Sequence, residues 1–148
     1  MFKIKVYIRL ERCYLNVRPL NDKKYNISKH RFRELYYFCL QYQEWLDELK
    51  YKTDNVSSIG ITNMPTSHST DSSVERLALR RAQLEEKCKI LEQTAIETDE
   101  TLYQYIIKAV TNEGVSYNYL KMVMNIPCCK NVWYDRRRKF YYLLSRKI

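Results

Sequence analysis

Phe32, Leu35, Cys39, Tyr42, Leu46 and Leu49 recur at intervals of three, four, three, four and three residues. That spacing returns every side chain to one side of an α-helix, with its turn of about 3.6 residues, whereas a strand requires alternation by two. A second seam, Val74, Leu77, Arg81, Leu84, Cys88, Leu91 and Ala95, repeats the pattern with Arg81 as its one polar intrusion. Two such seams predict a helical hairpin within one chain, or a homodimer in which each seam meets its mate in a second subunit. Only two glycines occur in 148 residues, and sandwiches and barrels need many glycine-bearing turns.

Punctuation places the elements. Ser28 can cap a helix running to about Lys52, with Tyr36, Phe38, Leu40 and Trp45 lying off its seam and widening the apolar face. Residues 53–73, rich in Ser, Thr and Asn with Gly60 and Pro65, break the pattern and predict a flexible loop. Asp71 to Ser73 supply caps for a helix reaching about Glu97. Thr98 or Asp99 caps a third, with Leu102, Tyr105, Ile106, Ala109 and Val110 on its inner face and Asn112 to Gly114 as its stop. Residues 2–10 alternate Phe2, Ile4, Val6, Ile8 and Leu10 against polar neighbours, a strand pattern with no partner strand elsewhere.

Charge narrows the partners. Residues 1–31 hold nine Lys/Arg against two Asp/Glu, residues 32–127 ten against fourteen, and residues 128–148 seven against one. The formal net charge of +9 is therefore confined to the two ends. A localised basic end suits a polyanion, and its bland alternative is a solvated tail that aids solubility.

The basic C-terminus carries a pattern of its own. Ser116 can cap a short helix to about Val123, with Leu120 and Val123 or Met124 inward, and Met124 to Pro127 form a tight turn. A longer helix then runs from about Cys128 to Arg146, with Pro127 suited to its start. A short helix, a turn and a longer basic helix predict a helix-turn-helix. The expected fold is thus all-α, a long hairpin over residues 28–97 followed by a three-helix helix-turn-helix domain over residues 98–148. On a helical wheel Val132, Trp133, Phe140, Leu143 and Leu144 share the buried side, while Asn131, Tyr134 and Arg138 lie opposite, flanked by Lys130 and Arg137. The expected contacts to double-stranded DNA are Ser116, Tyr117, Lys130, Asn131, Tyr134, Arg137, Arg138 and Lys139. Lys130, Arg137, Arg138 and Lys139 would neutralise phosphates, and Asn131, Tyr134 and Arg138 would read base edges. Arg136 falls nearer the apolar side and is expected to pair with an acid or to snorkel.

Other chemistry lacks its residues. Cys13, Cys39, Cys88, Cys128 and Cys129 form no CxxC pair, and His30 and His68 stand far apart, so no metal site or cofactor is expected. The odd cysteine count without a signal peptide suits reduced thiols in a cytoplasmic protein, and no apolar run is long enough for a membrane span. There is no glycine-rich phosphate loop and no HExxH, and an enzyme is not expected.

The stretches RFRELYYFCLQYQEW, MPTSHSTDSSVERLALRRAQL and EGVSYNYLKMVMNIP followed by YDRRRKFYYLLSRKI together resemble the RinA/ArpU-like regulators of phages and prophages. The resemblance spans about Ser28 to Ile148. It implies a helix-turn-helix similar to the C-terminal domain of sigma factors, activation of phage transcription in the bacterial cytoplasm, and a partnership with host RNA polymerase. Carried over by position, the recognition stretch is Cys128 to Arg138, although the turn reads Asn-Ile-Pro-Cys-Cys where an Ile-Ser-Arg type is usual. Residues 1–27 lie outside the resemblance and are expected to be an extension, one account of which is an over-extended start. Two rival readings are a small terminase-like DNA-packaging subunit and a helical adaptor that binds protein alone.

Overall fold

A computed structural model of the chain describes residues 24–51 and 73–148. The strand pattern of residues 2–10 and nearly all of the 53–73 loop lie outside the described residues. Those described are all-helical, with no strand among them. In chain order the helices are α1 (Lys29–Leu40), α2 (Tyr42–Tyr51), α3 (Ser73–Thr98), α4 (Tyr103–Val110), α5 (Tyr117–Met124) and α6 (Lys130–Leu144).

The first seam was expected to run through one straight helix, but the helix bends at Gln41. The Gln41 N–H donates to the Phe38 carbonyl at 3.3 Å, a tightened i−3 bond, before the ladder resumes with Trp45 N–H to Gln41 O at 3.1 Å. Tightening of this kind turns the axis. The buried set therefore rotates: Leu35 and Cys39 face inward from α1, and Tyr42 and Trp45 from α2. Trp45, expected off the seam, packs edge-on against Phe38 with ring centroids 4.9 Å apart.

Helix α2 runs antiparallel to α3. Tyr42 at its start donates to Glu92 at 2.5 Å, and Glu48 near its end pairs with Arg80 at 3.1 Å. Among the described residues of the second seam, Leu84, Cys88, Leu91 and Ala95 are buried, while Leu77 is half-buried and Arg81 exposed. Arg81 points out and pairs along the helix with Glu85 at 2.9 Å.

Helix α3 is the centre of the molecule, with α2, α4 and α6 all packed on it and α1 bridging to α4 and α6. Leu35 and Cys39, Leu84 to Ala95, Ile106 and Val110, Leu120, and Trp133, Phe140 and Leu144 form one continuous apolar cluster. Hairpin and C-terminal helices thus share a core across the expected boundary at residue 98. Tyr25 and Ile27, on the far side of the boundary drawn at residue 28, are buried as well.

Where α3 hands over to α4, Asp99 organises the turn. Its Oδ1 accepts from the Thr101 N–H at 3.0 Å, the Thr101 hydroxyl at 2.7 Å and the Leu102 N–H at 3.2 Å, while Oδ2 accepts from Arg136 at 2.8 Å. Burial on its own would raise the Asp99 carboxyl, but the bonds from Thr101, Arg136 and Leu102 outweigh it and hold the group below its ordinary value. A carboxylate depressed on folding stabilises the fold above its unfolded pKa and loses that contribution as pH falls through the folded one. Asp99→Asn is accordingly expected to cost about 1 kcal/mol at pH 7, with the gap from wild type closing below about pH 4. Urea denaturation across the range from pH 7 to pH 3 checks this, and a gap that does not narrow as pH falls counts against it.

Candidate nucleic-acid interface

The helix-turn-helix segment is built by a few specific bonds. Ser116 caps α5, its Oγ accepting from the Tyr119 N–H at 3.3 Å. Asn125 ends α5 in the left-handed region at φ 52°, which asparagine tolerates better than most side chains. Ile126 turns its side chain into the core, and the Tyr117 hydroxyl reaches across the turn to donate to the Cys128 carbonyl at 2.7 Å. Cys129, in extended conformation, precedes the first residue of α6. Pro127 therefore stands in the turn and does not open the helix as expected, and α6 is shorter at both ends than the stretch from Cys128 to Arg146.

Helix α6 buries Trp133, Phe140, Tyr141 and Leu144. Val132 and Leu143, expected on the buried side, are respectively exposed and half-buried, because the inward face is centred nearer Tyr141. Lys130 and Asn131 are exposed at the N-terminal end of α6. Arg138 is half-exposed on the outward side, and Tyr134 is half-buried at the edge of the core.

Several expected contacts serve the fold instead. Tyr117 is buried and clamps the turn. Lys139 donates to the Thr98 carbonyl at 2.9 Å and the Glu97 carbonyl at 3.5 Å, covering carbonyls that the C-terminus of α3 leaves without helical partners. Arg137 turns inward, its Nε buried beside the buried Tyr141 hydroxyl, with which the guanidinium interacts. Burial pushes the Tyr141 phenol well above its ordinary range, nearby Cys39 adds to that, and the Arg137 charge opposes it. Two further cations close ion pairs to the α3 terminus and the turn after it: Arg136 to Asp99 at 2.8 Å, as its place on the wheel suggested, and Lys147 to Glu97 at 2.8 Å. Much of the C-terminal positive charge thus fastens α6 to the end of α3. Ser116, Lys130, Asn131, Tyr134 and Arg138 remain at the surface, in part or in full.

Sequence reasoning missed two surface features. Lys121 is exposed on α5, and Tyr119, Met122 and Val123 form an exposed apolar stripe beside it, Met122 at 84% and Val123 at 61% exposure. The spacing of the stripe, three then one, was legible, but the inward place was left open between Val123 and Met124. Met124 takes that inward place and packs against the core.

Cys39 and Cys88 are buried packing groups, Cys128 is half-buried and Cys129 exposed. Cys39, Cys88, Cys128 and Cys129 are free thiols, and burial pushes the first three above their ordinary values. Among the described residues no cluster of His, Cys, Asp or Glu suits a metal ion, and no helix is long and apolar enough to cross a membrane. Comparison of the chain with family models, with characterised proteins and with solved structures finds no match.

Proposed function

We propose that the chain binds duplex DNA through α5 and α6 and regulates transcription from a specific site, in the manner of the phage regulators its sequence resembles. One observation carries this reading. Helix α6 follows a short capped helix and a clamped turn, and it presents Lys130 and Asn131 at its N-terminal end and Arg138 near its middle outward, none with an ion pair among the described residues. A helix-turn-helix reads the major groove with the N-terminal residues of its second helix. Asparagine suits adenine, arginine suits guanine, and lysine suits phosphate. Ser116 at the start of α5 stands where a backbone contact would fall. A bacterial cytoplasm, contact with host RNA polymerase and a homodimer on paired half-sites belong to the same proposal.

The test is fluorescence anisotropy with a random-sequence duplex across a salt series. Arg138→Ala and Lys130→Ala are each expected to weaken binding and to flatten the log–log salt slope by about 0.9. Arg137→Met, which removes an inward-facing guanidinium, is expected to leave the slope unchanged. Absence of binding at low salt, or equal effects of Arg137 and Arg138, sinks the reading.

The exposed stripe of Tyr119, Met122 and Val123 favours a second reading, a helical adaptor that binds protein along α5. That reading predicts no salt-dependent affinity for DNA.

A further inference from the structure

Asn131, Asp135, Arg138 and Tyr142 recur at four, three and four residues, which puts them on one side of α6. That side faces away from the buried Trp133, Phe140 and Leu144. Asp135 stands in the middle of it, one turn from Asn131 and one turn from Arg138. It is the one acid in residues 128–148. A carboxylate there repels a phosphate backbone, so its place between two candidate base readers calls for a reason. An ion pair is one. Lys24 meets Asp135 at 3.0 Å, and Arg136, already bound to Asp99, stands 3.7 Å away. That pair adds little to the fold, because the Lys24 side chain is 61% exposed and that of Asp135 32%, and ion pairs in contact with water are weak. The segment it would anchor is already held by Tyr25, buried against Tyr142 with ring centroids 5.5 Å apart, and by Ile27, buried in the core. What the pair does supply is a neutralised carboxylate on the outward side of α6.

We propose that Asp135 reads a cytosine, accepting a hydrogen bond from its exocyclic amine in the major groove, and that Lys24 exchanges the carboxylate for a phosphate. The proposal rests on the DNA-binding reading above and adds a specificity-determining residue to it. An ionised carboxylate only accepts hydrogen bonds. Adenine sets an acceptor beside its amine in the major groove, which suits the mixed donor and acceptor of asparagine, whereas cytosine offers a donor alone. Residues 131–138 of α6 span about 10 Å at about 1.5 Å per residue, close to three base-pair steps of about 3.4 Å. The C·G pair therefore falls between the pairs read by Asn131 and Arg138. Until the duplex is in place, Lys24 neutralises the acid. Once it is, the same lysine stands beside the groove with its charge free for the backbone.

The experiment selects bound sequences from duplexes with a randomised centre, using the full chain and its Asn131→Ala, Asp135→Asn, Arg138→Ala and Lys24→Gln variants. The full chain is expected to enrich a C·G pair between the positions that Asn131→Ala and Arg138→Ala relax. Asp135→Asn should lose that preference, a fall of roughly five- to hundredfold in discrimination, while binding random duplex no more weakly. Lys24→Gln should keep the preference and flatten the log–log salt slope by about 0.9. A second readout needs no substitution in the protein. N4-methylcytosine still pairs with guanine but sets a methyl group where the donor stood, so it should weaken binding by the full chain and leave Asp135→Asn unaffected. A cytosine preference that survives Asp135→Asn, its equal loss in Lys24→Gln, or indifference of the full chain to N4-methylcytosine overturns the assignment and leaves the DNA reading intact. So does a selected site without the C·G pair. Failure of the full chain to bind any duplex removes that reading, and the assignment with it.

Discussion

Trp133→Ala is expected to lower the unfolding free energy by about 3–5 kcal/mol, the range for deleting a large aromatic from a packed core. Trp133 is almost fully enclosed, near the start of α6, and belongs to the cluster that joins α6 to α1, α3 and α4. Removing it takes away the transfer free energy of the ring and leaves a cavity that surrounding helices cannot fill without moving. A domain of this size holds on the order of 5–15 kcal/mol in total, so the loss is a large share of the whole. Urea denaturation followed by far-ultraviolet circular dichroism measures it. Trp133→Phe, which keeps most of the apolar volume, should lose far less. A loss below about 1.5 kcal/mol for the alanine variant would mean that the ring is not packed as described.

Leu91→Ala is expected to cost about 2–5 kcal/mol and, more tellingly, to destabilise α6 as much as α2 and α3. Leu91 sits in the buried half of the α3 seam, in the same cluster as Trp133 and Trp45. If the chain were a hairpin joined to an independent head, a seam substitution would melt the hairpin early and spare the head. A shared core predicts one transition. The two tryptophans allow the distinction, since Trp45→Phe leaves Trp133 as the reporter of α6 and Trp133→Phe leaves Trp45 as the reporter of α2. In both backgrounds Leu91→Ala should shift the fluorescence midpoint by the same amount. Two separated midpoints would show that the core divides.

What was legible in the sequence followed from periodicity and caps. The glycine count and the seams predicted an all-helical chain, Leu84, Cys88, Leu91 and Ala95 were placed inward correctly, and Ser28 and Ser116 cap the helices assigned to them. Periodicity fails where tertiary packing rotates a face. The i−3 bond at Gln41 is invisible in a 3-4 pattern, so Trp45 was left off the seam, on a widened apolar face, and one unbroken helix expected. Composition misled more than periodicity did at the C-terminus. A run of arginines and lysines looks the same whether its charges await a phosphate or already hold the end of another helix. Lys139 meets the carbonyls at the end of α3, Arg136 meets Asp99, and Arg137 lies inward near Tyr141. Those destinations depend on where α3 ends in space, which a single-helix wheel does not contain. Lys24 went unnoticed for the same reason, since its partner is 111 positions away.

The fastening of α6 to the C-terminus of α3 has a consequence for anyone wishing to transplant this module. A fragment beginning at Thr98 would carry the short helix, the turn and the outward residues of α6 intact. It would lack α1, α2 and nearly all of α3, and so expose to water the apolar flank of α6 that rests on them. The outward surface is not a portable cassette, and grafting it onto another protein requires the supporting helices to travel with it.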